Sequence, residues 1–261
     1  MKIIVCIKQV PDTTEVKLDP KTGRLIRDGV PSIINPDDKN ALEEALRIKD
    51  ENSDTTVTVV SMGPPQADVA MREALAMGAD EAILISGREF GGSDTWATSY
   101  IIATAIKKIP DYDIIFCGRQ AIDGDTAQVG PQIAEQLNIP QITYVQKLDI
   151  EGDKVIVQRQ LEDGYTVVEA KMPVLLTAIK ELNTPRYMTP KGIFEAYNKT
   201  VQVWGFNDVP VDAEKIGLKG SPTNVNRTFS PEAKGKGIML EGADKETVKT
   251  LIAKLDERHL L

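Results

Sequence analysis

Histidine is almost missing from this sequence of 261 residues: the single one, His259, lies near the C-terminus. Unless that end takes part, a Ser-His-Asp triad, a histidine-rich metal site and an H-E-x-x-H helix are excluded. Cysteine is scarce as well. Cys6 and Cys117 are far apart, each within an apolar run, so no C-x-x-C, zinc or iron–sulfur spacing exists. Two such thiols are expected to be buried, which suits a reducing, cytoplasmic location. No run of about 18 uncharged apolar residues occurs, so no transmembrane segment is expected. The segment Met1 to Lys8 is too short in its apolar part for a signal peptide and has no small-residue cleavage site, so it is expected to be a buried strand. The formal charge of −8 disfavours nucleic acid and anionic membrane as partners. Neither G-x-G-x-x-G nor the Gly-Lys-Ser/Thr of a P-loop is present.

What is present begins as an alternation of strands and helices. Lys2 to Ile7 forms a continuous apolar run, as a strand buried on both faces should. Turn residues at 11–34 leave room for a short hairpin, 16–18 against 24–26. Asn35 can cap a helix, Pro36 suits its first position, and Asp37 and Asp38 oppose the positive dipole end. Strands follow at 56–61, 81–86 and 113–117, with helices at 66–77, 93–108 and up to about 137. This order predicts a doubly wound, mostly parallel α/β sheet with right-handed crossovers, Rossmann-like. After Pro140 the strands 142–148, 154–161, 165–170 and 174–179 are joined by tight turns, so an antiparallel or mixed region is expected. Residues 183–242 are poor in apolar runs and predict an arm lying on another surface, before a helix at 244–258 with Val248, Leu251, Ile252 and Leu255 on one face. The division expected is therefore 1–182, an α/β nucleotide-binding domain, and 183–261, a docking loop, arm and terminal helix.

In an open parallel sheet, ligands bind beyond the carboxyl ends of the strands. Three turns stand there: Lys8 to Pro11, Ser61 to Pro64, and Gly118 to Gly130. The third is the most informative. Gly118 and Gly124 allow close approach of backbone, Asp125 or Thr126 can cap the next helix, and Thr126 and Gln128 add neutral donors. These residues describe a nucleotide diphosphate site. The plainer alternatives are a capped loop or, through Asp123 and Asp125, a weak cation site. Glu162 and Asp163 form a turn rather than an acid–base pair, and Trp96 and Trp204 are expected to pack. No catalytic side chain and no metal ligand set is assigned.

Several ordered segments resemble the beta subunit of electron transfer flavoproteins over nearly the whole length. They are Val5 to Val10, Asn35-Pro36 with Ala41 to Ala45, Ala74 to Asp80, Gly118 to Asp123, and Thr184 to Tyr187. The family's C-terminal signature is matched from Val157-Gln158-Arg159 through Glu162-Asp163-Gly164 to Pro173 to Thr177, except that Thr166 stands where Glu or Gln is favoured.

The resemblance implies a heterodimer with an alpha subunit that carries one FAD, and a second nucleotide site in this chain. Family contacts to that nucleotide fall on Cys6, Asn35, Pro36, Asp37, Asp38, Met62, Ile114, Cys117, Gly118, Arg119, Gln120, Asp123, Gly124, Asp125, Thr126, Ala127, Gln128 and Val129. Ordinary members hold AMP there. Electron-bifurcating members hold a second FAD that accepts hydride from NADH, and the loop from Asp123 to Pro131 is similar to theirs. Such a protein passes one electron to ferredoxin or flavodoxin and the other, through the alpha-subunit FAD, to an acyl-CoA dehydrogenase. The flavin does that chemistry, and the protein positions it. Tyr187, Met188, Ile193 and Phe194 fall in the partner-docking loop, whose tip departs from respiratory members at Pro190 and Lys191. A stand-alone adenine-nucleotide sensor of similar fold remains the alternative from another class.

Overall fold

The computed structural model describes residues 1–12, 31–226, 235 and 237–261, so the hairpin expected at 16–18 and 24–26 lies outside the described residues. Strand β1, Lys2–Cys6, buries four of its five residues, which accounts for its unbroken apolar run. Two short strands, β2 (Gln9–Pro11) and β3 (Ser32–Ile34), pair antiparallel beside it. Helix α1 covers Pro36–Glu51, with proline in its first turn and Asp37 and Asp38 behind it. Then come β4 (Thr56–Met62), α2 (Asp68–Met77), β5 (Glu81–Ile85), α3 (Thr95–Ile106), β6 (Ile114–Gly118) and α4 (Val129–Leu137). Strands β7 (Gln141–Glu151), β8 (Lys154–Gln160), β9 (Tyr165–Lys171) and β10 (Val174–Ala178) follow.

The nine-stranded sheet runs β11-β5-β4-β1-β6-β10-β7-β8-β9, where β11 is Val201–Trp204. Every neighbouring pair is parallel except β7–β8 and β8–β9, a doubly wound, mostly parallel sheet with antiparallel strands at one edge. Alternate side chains of each strand enter opposite cores. Ile3, Val5, Val57 and Val59 pack with α1 and α2, while Ile4, Cys6, Val60 and Ile83 pack with α3 and α4. From β1 the chain moves outward through β4 to β5, then crosses back to place β6 on the other flank of β1. Strand order therefore reverses between β1 and β6.

Residues 183–242, expected to form an arm on another surface, carry regular elements in their first part. Helix α5, Pro190–Asn198, packs on α2, and β11 joins β5 as the parallel edge of the main sheet. Their apolar signal is weak because α5 buries only Ala196 and β11 is an edge strand of four residues. A short helix, α6 (Gly217–Gly220), follows. The compact unit extends from Met1 to Val225. Residues Asn226–Leu261 form a second unit. Its helix α7, Lys245–Asp256, is capped by the Asp244 carboxylate, which accepts from Thr247 N at 2.8 Å. None of its residues is buried, and Val248, Leu251 and Ile252 are exposed along one side. Among the described residues no helix is long and apolar enough to cross a membrane.

Candidate functional site

The reversal point between β1 and β6 brings together most residues singled out in the sequence. Cys6 and Cys117 lie near the carboxyl ends of these neighbouring strands, both buried and both free thiols. Hydrogen bonding to Cys6, together with burial, pushes the Cys117 thiol well above its usual range, so it is not a thiolate nucleophile. Met62 ends β4 close by, half-buried.

Behind the strand ends sits the first turn of α1. The Asp38 carboxylate is fully enclosed. One oxygen accepts from Lys8 N at 2.8 Å, just past β1, and the other from Gly118 N at 2.9 Å, at the end of β6. Gly118 is needed for this closeness: a Cβ there would overlap the Asp38 carboxylate and lie 2.6 Å from Asp38 N and 2.7 Å from the Asp37 carbonyl carbon. The expected capping of α1 by the Asn35 side chain does not occur. Its amide reaches the loop after β6, donating to Gln120 O at 2.8 Å and accepting from Ile122 N at 3.0 Å, and its side chain also hydrogen-bonds the Asp38 carboxyl. Asp37 turns outward to Arg119 at 3.4 Å; burial raises its carboxyl, against the pull of that guanidinium.

The loop itself is cross-braced. Lys8 Nζ meets Asp123 at 2.7 Å, and Gln120 Nε2 donates to Asp125 at 2.9 Å. Both carboxylates of the suggested cation pair are thus engaged by protein donors. Asp125 and Ala127 adopt positive φ, +49° and +51°. Those two turns delay the helix, so α4 starts at Val129 and neither Asp125 nor Thr126 caps it. Gln128 holds the cap position without a side-chain cap bond; its Oε1 accepts instead from Thr95 Oγ1 at 3.0 Å. The first turn of α4 therefore presents backbone N–H groups that no side chain caps, at the positive end of the helix dipole. Gly124 is exposed, and a Cβ there would have nothing within 4 Å. Its φ is not positive, so its value lies in open space rather than backbone freedom.

Ile114 does not belong to this constellation. It opens β6 at the amino end, paired with Ile3 and fully buried, about 13 Å from Gly118 along the strand. The position of Ile114 therefore lends no support to its carry-over from the family. Conversely, the sequence carried no signal for Thr95, which tethers Gln128, nor for Tyr144. The latter has φ +58° and lies between the Arg119 and Arg159 guanidiniums, 5.8 and 5.9 Å from its ring centre.

A second surface stands on α5. Arg186 is clamped by Glu43 of α1 through its backbone N–H at 2.9 Å and its guanidinium at 2.8 and 3.1 Å, with Asp50 adding 2.7 Å. Arg72 of α2 donates to Ala196 O and Lys199 O at 2.7 and 2.6 Å. On this braced frame Tyr187 is 94% and Phe194 77% exposed, with Met188, Ile193, Tyr197 and Val69 exposed around them. Apolar and aromatic side chains held out on a rigid support are the composition of a docking hot spot.

The electron transfer flavoprotein domain matches residues 22–209. The chain is 62% identical to the electron transfer flavoprotein subunit beta of Thermoanaerobacterium thermosaccharolyticum, over 100% of both chains. It is 58% identical to the caffeyl-CoA reductase-Etf complex subunit CarD of Acetobacterium woodii and 53% identical to the acryloyl-CoA reductase electron transfer subunit gamma of Anaerotignum propionicum, each again over 100% of both chains. With a family domain matched over most of its residues and relatives of this similarity along its whole length, the chain belongs to the electron transfer flavoprotein family, on the beta-subunit side.

Proposed function

We propose that this chain, paired with an alpha subunit, holds FAD at the β1–β6 reversal point and works as the NADH-oxidising, electron-bifurcating half of the complex. Family membership supplies the electron-transfer role and the alpha partner, and sets aside the stand-alone sensor. The observation that carries the finer reading is the loop from Gly118 to Gln128. Its Gly124 leaves open space, and the α4 N–H groups beyond it are uncapped, which together suit a diphosphate with a bulky group attached. The relatives named for caffeyl-CoA and acryloyl-CoA reductase complexes point the same way, toward an acyl-CoA dehydrogenase as partner.

FAD bound here would supply the redox chemistry, hydride acceptance from NADH and division of the electrons between ferredoxin or flavodoxin and the alpha-subunit FAD. This chain's residues do the holding. Val129 and Gly130 would offer backbone N–H groups to the diphosphate, and the Lys8–Asp123 pair braces the loop beside them. Cys6, Cys117 and Met62, clustered in the core beneath the strand ends, would give the site a soft, uncharged base. Two buried free thiols fit a cytoplasmic setting.

Flavin content tests the reading. The heterodimer purified from co-expression is expected to carry two FAD and to be reduced by NADH; one FAD plus AMP, with no NADH reaction, would replace bifurcation by a structural nucleotide. The α5 surface is tested separately. Phe194→Ala should slow electron delivery to the dehydrogenase about 30-fold, the loss of a hot spot of about 2 kcal/mol, and leave NADH reduction unchanged. Equal loss of both reactions would argue against a docking role.

A further inference from the structure

Asp38 was expected among the nucleotide contacts, yet its side chain turns away from the loop surface into the protein. Both of its oxygens are taken by backbone N–H groups, from Lys8 and Gly118. Those two groups mark the ends of the two strands between which the strand order reverses. The space between β6 and the start of α1 admits no Cβ at Gly118, so the carboxylate has no slack in which to re-form these bonds elsewhere.

We propose that Asp38 is the positioning residue of the nucleotide site: its carboxylate ties Lys8 to Gly118 and so sets the opening between the ends of β1 and β6 that the nucleotide enters. The inference rests on the nucleotide reading above and adds to it the device that shapes and regulates the site. An ionised carboxylate has acceptors for both N–H groups. A neutral carboxyl carries a proton on one oxygen and is a weaker acceptor there, so the hold on one strand end weakens.

That change falls in the physiological range. Burial pushes the Asp38 carboxyl up to about 7, against the pull of the Lys8 N–H, the Asn35 side chain and the Gly118 N–H. The titratable and charged neighbours are few. Asp37, beside it on α1, raises it further, and the Cys117 thiol of β6 stays neutral and bonded to Cys6 of β1. The Lys8 ammonium is turned to Asp123 and the Arg119 guanidinium to Asp37. A diphosphate at the start of α4 lies with the α3–α4 core, whereas α1 packs on the opposite face of the sheet. Above about pH 7 the site is set; below it, the opening loosens and binding weakens.

The test uses the co-purified heterodimer, with dissociation constants for FAD and for AMP measured from pH 6 to pH 8.5 in wild type and in Asp38→Asn. Asparagine keeps the shape but puts an N–H₂ against one of the backbone N–H groups. Wild-type binding is expected to weaken about tenfold from high to low pH, equivalent to about 1.4 kcal/mol, with a midpoint near 7. The variant is expected to show the weaker value at every pH, beyond any slope due to the phosphate of AMP. Infrared difference spectra between the two pH extremes should show a buried carboxylic acid that the variant lacks. A flat wild-type profile overturns the proposal even if the variant fails to fold, as does a variant that keeps both the affinity and the slope. Absence of both nucleotides from wild type at every pH overturns the nucleotide reading itself, which is a different result.

Discussion

Gly118→Val is expected to empty the nucleotide site and lower the melting temperature together. A side chain there has nowhere to go: even its Cβ would sit 2.6 Å from Asp38 N, against backbone rather than against a flexible side-chain end. Relief requires β6 and α1 to part. Forced overpacking costs about 1–3 kcal/mol, and the upper end applies where the neighbour is a helix backbone. For a chain of this size that is a fall of about 6–12 °C. The same shift pulls Gly118 N away from Asp38 and opens the strand ends. Gly124→Phe is the informative contrast. Nothing lies within 4 Å of a Cβ at Gly124, and its φ is not positive, so the fold tolerates the change while the ring fills the space meant for the ligand. Loss of a diphosphate contact of about 1.5–3 kcal/mol weakens binding about 10- to 150-fold. The heterodimer should then keep its alpha-subunit flavin, lose the second one on gel filtration and keep its apo melting temperature. Gly118→Val with normal nucleotide content, or Gly124→Phe with two flavins and full NADH activity, would remove this loop from the mechanism.

Glu43→Ala should uncouple docking from nucleotide binding in the opposite sense. Glu43 is almost completely buried and takes three hydrogen bonds from Arg186, so its removal leaves a partly enclosed guanidinium with only Asp50, itself exposed. Breaking a buried pair from one side costs about 3–5 kcal/mol; water reaches Arg186, which puts this case at the lower end. The segment leading to Tyr187 then loses its anchor. Faster amide exchange over residues 184–198 and at least tenfold slower electron delivery to the dehydrogenase are expected, with both nucleotides retained. Asp50→Ala removes only the solvent-facing partner and should change either quantity by less than twofold. If the two variants behave alike, the Glu43–Arg186 clamp is not what holds the docking surface.

Much of this architecture was legible in the residue order. The run Lys2 to Ile7, the Asn35-Pro36-Asp37-Asp38 start of α1, and the glycine-bearing loop after β6 each announced their place, because each carries a local signal: burial on both faces, helix-start chemistry, and small residues at a strand end. What stayed hidden depends on partners distant in sequence. Asp37 and Asp38 read as two equal dipole charges, yet neighbours on a helix point about 100° apart; one meets Arg119 in partial solvent and the other is sealed under Gly118. Asn35 has a capping side chain, but Gln120 and Ile122 claim it first. The strand β11 has only Val201, Val203 and Trp204 as apolar signal, and its role is defined by the edge of β5. Positive φ at Asp125, Ala127 and Tyr144 had no glycine to mark it. Ile114 shows the opposite case: membership of β6 does not make it a neighbour of the strand's other end.

Helix α1 faces two clients. Its third residue, Asp38, answers to the nucleotide strands, and Glu43, five positions on, answers to the docking segment. A helix transmits register without slack, since each added residue turns the remainder of the helix by about 100° and advances it about 1.5 Å. A one-residue insertion or deletion between these two carboxylates would therefore leave one of them facing its partners and swing the other into apolar packing or water. The stretch 38–43 is fixed in length, and the phase of a single helix is what keeps the β1 and β6 strand ends in step with the segment at Arg186.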